Sequence, residues 1–476
     1  MPAPGLRAAA MTRHCFAARA LLPAGWARNV RIAIDAAGGF ADVAADTGGP
    51  RPGDEVLHGP VLPGMASLHS HAFQRAMAGM AETRGPGSDD FWSWRELMYR
   101  FVARLTPEAA FAIARHLYVE MLRNGYTAVA EFHYVHRRPD GTAYAAPAEL
   151  LLRHLAAARE AGIAITLLPV LYRWSDFGAR PLQPRQARFG NDPAAILAMV
   201  EAARRAAAGD ADVRVGVAPH SLRAVDAASL RELVAGLEAI DASAPIHIHV
   251  AEQTKEVDDS VAASGSRPVE WLLSNQPVDR RWCLVHATHM TADETAALAR
   301  SGAVAGLCPS TEANLGDGIF PLPDYRAAGG RWGIGGDSHV SRDPAEELRL
   351  LEYGQRLALR RRNLVAGGAV GSPGSDAVGT TLWTEAAAGG AQALGRPMGA
   401  LAAGLRADLV ELDPGAADLH AREDDALANA LVFSGTPGLV RNVMVGGRWV
   451  VRERRHRLDD EGGEDAYRQA LRMLLA

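Results

Sequence analysis

Two histidines separated by one residue, His69 and His71, stand in the run LPGMASLHSHAFQR. Residues two apart in an extended strand project to the same side. Both imidazoles can therefore meet one cation, although a buried structural pair or a surface HxH satisfies the same spacing. A second pair stands in IHIHVAEQ, where His247 and His249 share a strand face and Glu252 follows just past the strand. His249, nearer the strand end, is the better ligand, with Glu252 leaning over it as a proton shuttle. The competing reading puts a histidine in the core and leaves Glu252 as a carboxylate favoured by a helix N-terminus. LVHATH supplies His286, and GIGGDSHVS supplies Asp337 directly after an apolar run and a Gly-Gly step. A carboxylate in that position is costly to bury unless it is paired or metal-bound. Asp337 could instead cap a helix starting near DPAEEL, but Asp343 fits that role better and frees Asp337 for chemistry. Three histidines and an aspartate, with one position left to water, make a hydrolytic zinc site.

Such a set needs a scaffold that brings distant segments to one point. Eight short β-rich runs can be picked out, at 65–71, 127–133, 164–170, 213–219, 246–250, 283–287, 303–309 and 332–337. Helical stretches such as AAFAIARHLYVEMLRNG and AAILAMVEAARRAAAG lie between most of them, with Gly125 and Gly209 suited to end those helices. Strands alternating with helices imply a parallel sheet, and eight units imply a closed (β/α)₈ barrel; an open doubly wound sheet is the alternative if one strand is miscounted. Barrel active sites lie at the C-terminal ends of the strands. Those ends carry His69 and His71, His133 with Tyr134, His220, His249, His286 and Asp337. Outside the barrel, ARNVRIAIDAAGGFADVAA reads as a hairpin, and ADLVELD and VRNVMVGGRWVVRERR repeat its style near the other end. The expected division is residues 1–60 and 401–476 forming a small β-sandwich domain with a terminal helix, and 61–400 forming the barrel. AGGAVGSPGSDAVG (366–379) reads as a surface loop.

Bulk properties exclude several classes. The chain of 476 residues carries 50 Lys+Arg against 55 Asp+Glu, a net charge of -5 that suits neither a nucleic-acid nor a membrane-surface partner. Lys255 is the one lysine. Cys15, Cys283 and Cys308 have no finger or redox spacing, which fits a reducing compartment. No apolar run approaches the roughly 20 residues of a bilayer span. The N-terminal segment has arginines but its best apolar stretch is broken by Pro23, so it does not read as a secretory signal, and Met11 serves equally well as a start. A cytoplasmic protein is expected.

The runs LHSHAFQRAMAG, FWSWRELMY, EFHYVH, APHSLRAV, HIHVAEQ, VHATH and GDSHVS together resemble the amidohydrolase superfamily, and within it the formimidoylglutamate deiminases. The resemblance extends from FAARALLPAGWARNV to GGRWVV. The HxH and the last aspartate are superfamily-level signals, whereas FWSWRE, EFHYVH and PHSLRAV are more specific. The resemblance implies hydrolysis of N-formimidoyl-L-glutamate to N-formyl-L-glutamate and ammonia, in histidine degradation, by a homodimer. It implies that His69, His71, His249 and Asp337 hold zinc, that Glu252 and His286 handle protons with Asp337, and that Gln74, Arg95, Tyr134, His220 and Arg223 hold the glutamate moiety. Binuclear relatives bridge two metals with a lysine at the end of strand four. Here strand four ends in His220, so one metal per subunit is expected, with iron or manganese as alternatives to zinc. Two departures stand out: Gly336 replaces a serine before the last aspartate, and Arg137 stands where a histidine is expected, outside the pocket.

The chemistry of the residues agrees with that substrate. Arg95 and Arg223 can each hold a carboxylate bidentately, and Tyr134 and Gln74 add directional hydrogen bonds. Any one arginine of an Arg-rich chain reads equally as surface charge. Phe91, Trp92 and Trp94 read as lid or core packing rather than ligand stacking. A sister deaminase of a purine, pterin or guanidino compound, and a non-catalytic barrel that binds partners, are the alternative functions.

Overall fold

In the computed structural model, residues 12–84, 89–368, 375–459 and 462–476 are described. The first ten residues and Met11 lie outside them, as does the 369–374 part of the expected loop. The end of that loop is helical: Val378 and Gly379 open the helix Val378–Ala393.

All eight expected barrel strands are present. They are Met65–Ser70, Tyr126–His133, Ala164–Leu171, a fourth in two pieces (Val213–Val215 and Ala218–Pro219), Ile246–Val250, Trp282–His286, Val304–Leu307 and Arg331–Ile334. Strands one to four and five to eight pair in parallel as two runs. Single bridges close the ring, Val217 to Ile246 between strands four and five and Ser70 to Asp337 between strands eight and one. The strands are Val-, Ile-, Leu- and Ala-rich, and except for Val213 and Arg214 at the start of the split fourth strand and Arg331 they are buried throughout. Near-continuous burial of this kind is what helices covering a parallel sheet require.

Polar residues mark where several of the helices begin. Thr106 caps Pro107–Arg123, Asp192 caps Pro193–Ala206 and Asp226 caps Ala227–Ile240, each accepting from backbone amides of the first turn. Gly125 and Gly209 follow the first two of these helices with φ of 100° and 78°. Asp343 caps Pro344–Leu359, which leaves Asp337 free of that duty.

The two ends of the chain share one nine-stranded sheet. Its seam is Val61–Pro63, parallel to Arg13–Leu22 on one side and antiparallel to Leu409–Leu412 on the other. The expected hairpin is Gly25–Ile34 paired with Phe40–Ala44. This sheet carries its own apolar core, including Val30, Ile32, Phe40, Leu409 and Met444. The last helix, Gly463–Leu475, packs against Pro107–Arg123 on the outside of the barrel.

Candidate active site and metal centre

Backbone pairing at the strand ends places the polar side chains together. Asp337 N–H donates to His69 O at 3.1 Å and His71 N–H donates to Asp337 O at 2.9 Å, so strands one and eight present their residues side by side. His249 N–H donates to His220 O at 3.0 Å, linking strands four and five in the same way. Ala251, His286, Ala287, Asp337 and His339 all have positive φ, between 49° and 67°. Left-handed backbone at non-glycine residues is strained and gathers at functional sites. Here it turns each chain sharply as it leaves the sheet.

Three imidazole nitrogens and one carboxylate converge. His249 Nε2 is 3.0 Å from His69 Nε2, and Asp337 Oδ1 is 3.5 Å from His69 Nε2 and 3.4 Å from His71 Nε2. A tetrahedral zinc with bonds near 2.0–2.1 Å would set its ligands about 3.4 Å apart. The donor set therefore fits a cation of that size. His71 Nδ1 donates to Phe132 O at 2.8 Å, which fixes its tautomer and leaves Nε2 bare toward the centre. Burial holds His69 down at about 3 and also lowers His71 and His249, keeping the imidazoles in the neutral form that a metal needs. Burial alone would raise the Asp337 carboxyl, but His69, His71 and His286 hold it below the ordinary carboxylate range. His247, the other histidine of IHIHV, bonds Ala393 O at 2.8 Å and is core.

Glu252 and His286 flank this centre. His286 Nε2 is 3.8 Å from Glu252 Oε1 and 3.8 Å from Asp337 Oδ2. Burial pushes the Glu252 carboxyl up to about 7, with His286 opposing the rise. The Glu252 backbone is held from behind: buried Glu256 accepts from Ala251 N at 3.1 Å and Glu252 N at 3.0 Å. Asp317, also buried, accepts from Gln253 Nε2, and burial with Glu252 nearby pushes it up to about 9.

His71, Gln74, Arg95, Tyr134, His220, Arg223, His249, Glu252, His286 and Asp337 all line one cavity of about 650 Å³, with His69 fully buried beneath it. Every residue given a role in the site by the resemblance is thus in it or directly under it; of the strand-end residues, His133 is not. Gln74 Nε2 donates to Tyr134 Oη at 2.8 Å, while Gln74 Oε1 has no partner among the described residues. The pair thus offers one hydroxyl donor and one amide acceptor to a ligand. Arg95 stands on the helix Phe91–Arg104, whose start is fixed by a capping box between Asp90 and Ser93. Its guanidinium lies 4.5 Å over the Trp92 ring, which Arg223 and Lys255 also approach, at 5.9 and 5.8 Å. Buried Nε and Nη1 of Arg95 and Nη1 of Arg223 have no hydrogen-bond partner among the described residues. Phe91 and Trp94 line the cavity, so FWSW forms a wall of the site, and Trp92 supports its cations.

The two departures noted in the sequence are explained. A Cβ on Gly336 would stand 2.4 Å from Nδ1 of the buried His339 ring, so glycine suits the close approach of that ring. Arg137 donates to Gly190 O at 2.6 Å and does not line the cavity. Sequence reading missed Glu256, Glu312 and Asp317. Each lies early in a helix or in the loop just after one, where an acidic residue carries no distinguishing signal. It also gave His133 no partners. The ring is buried against His136 and His154 behind the strand, away from the cavity.

Comparison with known proteins agrees with this construction. Residues 61–450 match the model of the amidohydrolase family, and the chain belongs to that family. Residues 12–58 match the model described as formimidoylglutamate deiminase HutF, N-terminal domain. A formimidoylglutamate deiminase of Pseudomonas aeruginosa is 55% identical over 462 residues, 97% of this chain and 99% of the relative, which sets the chain among the formimidoylglutamate deiminases. Among solved structures, an amidohydrolase from Brucella melitensis is 48% identical with a TM-score of 0.91, covering 98% of this chain and 100% of its own. An adenosine deaminase from Xanthomonas campestris, solved with bound zinc, shares the fold at 20% identity and a TM-score of 0.79, covering 97% of this chain and 98% of its own.

Proposed function

We propose that this protein hydrolyses N-formimidoyl-L-glutamate to N-formyl-L-glutamate and ammonia in histidine degradation. The observation that carries the proposal is one cavity with two contrasting linings. One bears the His and Asp cluster with Glu252, and the other bears two guanidiniums whose buried donors have no acceptor among the described residues. A buried donor without a partner is costly, so these groups call for an anionic ligand. A neutral heterocycle would leave them unsatisfied, which disfavours a purine or pterin deaminase.

In this reading His69, His71, His249 and Asp337 hold one zinc per subunit. Zinc bound there acts as a Lewis acid and lowers the pKa of a coordinated water toward about 7. The protein's own groups do the rest. Arg95 and Arg223 take the substrate carboxylates, Tyr134 and Gln74 add directional bonds, and His220 closes the wall between them. Fixing both carboxylates sets the formimidoyl carbon over the centre, which contributes through positioning. Asp337 and His286 accept the proton of the attacking water. Glu252, whose raised pKa keeps a proton available near neutrality, delivers one to the terminal nitrogen. A C–O bond forms; then the bond to that nitrogen breaks and ammonia leaves, while the remaining hydroxyl proton returns to the Glu252 carboxylate and the C–O bond becomes the formyl carbonyl. No helix among the described residues is long and apolar enough to cross a membrane; the reading places the enzyme in the cytoplasm as a homodimer.

The test is ammonia release from N-formimidoyl-L-glutamate by zinc-loaded protein, with N-formyl-L-glutamate identified by NMR. Stoichiometric appearance of both products supports the proposal. No release by folded, metal-replete protein rules the substrate out.

A further inference from the structure

Glu312 lies on the helix Pro309–Leu315, which leaves strand seven directly after Cys308. Strand seven pairs in parallel with strand six, from Cys283 opposite Val304 to Val285 opposite Gly306. The helix therefore starts beside the end of strand six, where His286 stands. Glu312 Oε1 is 3.2 Å from His286 Nδ1 and also accepts from Cys308 N at 2.8 Å. The side chains are 6% and 1% exposed.

A carboxylate accepts hydrogen bonds, so Nδ1 carries the proton in this pair. The opposite nitrogen, Nε2, is the one that stands 3.8 Å from both Glu252 and Asp337. One nitrogen is anchored in the protein and the other is left for the chemistry. The anchor is needed because the χ2 torsion of histidine is broad and two-fold, and because His286 and Ala287 both sit on left-handed backbone. Without a partner at Nδ1 the ring could turn over and present the wrong nitrogen.

We infer that Glu312 is a positioning residue that fixes the ring orientation and tautomer of His286, so that Nε2 faces Glu252 and Asp337. The inference rests on the proposed proton-handling role of His286. Glu312 touches neither the cavity nor the four metal-binding groups, and it acts through one ring.

The experiment compares Glu312→Ala, Glu312→Gln, His286→Asn and the Glu312→Ala/His286→Asn pair in zinc-loaded protein. Glu312→Ala should lower kcat roughly 10- to 100-fold, the range for losing a group that orients an active-site histidine, with KM and zinc content little changed. Glu312→Gln should recover most of kcat, because its amide oxygen can accept both bonds that Oε1 accepts. The double variant should be no slower than His286→Asn alone, since Glu312 has nothing left to position. Losses that multiply in the double variant, or a Glu312→Ala defect confined to KM or zinc content, would overturn the inference. A proton NMR resonance from the hydrogen-bonded Nδ1–H of His286 should be present whatever the substrate and absent from Glu312→Ala. Failure to find it in the wild type overturns the pairing. If His286→Asn keeps full kcat while the resonance is present, the role given to His286 has failed and the positioning claim falls with it.

Discussion

Replacing Arg95 by methionine removes a guanidinium but keeps an unbranched apolar stem against Trp92. In the free protein Nε and Nη1 of Arg95 are buried with no partner among the described residues, and either can join Nη2 in a two-donor fork to one carboxylate. Hydrogen bonds involving a charged group contribute about 1.5 kcal/mol each at the low end of their range. Two therefore contribute about 3 kcal/mol. At about 1.4 kcal/mol per tenfold, this is a loss on the order of 100-fold in kcat/KM. If the bond binds ground and transition states alike, the loss falls on KM; if it positions the formimidoyl carbon, kcat falls as well. The assay is ammonia release from N-formimidoyl-L-glutamate, run beside an amidine that lacks both carboxylates. Wild type and Arg95→Met should turn over the carboxylate-free amidine at the same slow rate. Arg95→Lys, which keeps the charge but loses the fork, should fall between the two. A loss under about fivefold on the full substrate would refute the clamp. So would an equal loss on the carboxylate-free amidine, which would place Arg95 in support of the fold.

Glu252→Gln should cost kcat about 10²- to 10⁴-fold with little change in KM, measured by steady-state kinetics. Because burial pushes Glu252 up to about 7, its proton is lost as pH rises through that value. The wild-type rate should therefore decline on the alkaline side of about 7, and the residual Glu252→Gln rate should lack that limb. Chelation should abolish activity and zinc should restore it, with His69→Ala and His249→Ala failing to recover metal by elemental analysis. Asp226 accepts from Ala228 N and Ser229 N, both at 3.0 Å, from Ser229 Oγ at 2.6 Å and from Trp174 Nε1 at 2.7 Å. Burial would raise its carboxyl, but these bonds hold it down at about 2. Asp226→Ala should cost about 1 kcal/mol in thermal unfolding near neutrality, a typical helix-cap loss. A depressed folded-state pKa gives stability that is full above the ordinary 3.8 and lost as pH falls toward about 2. The gap between wild type and variant should close over that window.

The strand ends were legible because two physical signals coincide there. Apolar runs that must be buried on both faces end abruptly in histidine or aspartate, residues that a packing strand has no use for. That was enough to single out His69, His71, His249, His286 and Asp337 as candidates, and to distinguish Asp337 from the helix cap Asp343, though the same signal also marks His133, which lies away from the cavity. The split of strand four was not legible. Val217 leaves the ladder to bridge Ile246, a consequence of closing the ring rather than of local propensity. Arg95 had no local signal either. It stands on a helix before strand two, and only the resemblance set it apart from dozens of other arginines. Glu312 was invisible for the opposite reason. Near a helix start an acidic residue is what the backbone dipole favours, and its contact with His286 arises from pairing between strands six and seven. Residues positioned by their own strand could be read from sequence; those positioned by a neighbouring element could not.

The charges around the cavity also restrict how the substrate can lie. Glu252, Glu256 and Asp337 line it together with His286, with Asp317 and Glu312 behind, while Arg95 and Arg223 line it beside Trp92 with Lys255 near the same ring. An amidine with two carboxylates is itself dipolar, and its two ends match these groups in one sense only. Reversed, the carboxylates would meet Glu252 and Asp337, and the amidine would meet two guanidiniums. Like charges brought together in a partly buried site cost several kcal/mol, more than any one hydrogen bond returns. Orientation is thus set by the balance of charge across the cavity before any directional bond forms. Gln74 and Tyr134 then act on a substrate already facing the right way. In the proposed mechanism, proton transfer by Glu252 and His286 depends on this sequence, because the terminal nitrogen reaches them only when Arg95 and Arg223 hold the carboxylates.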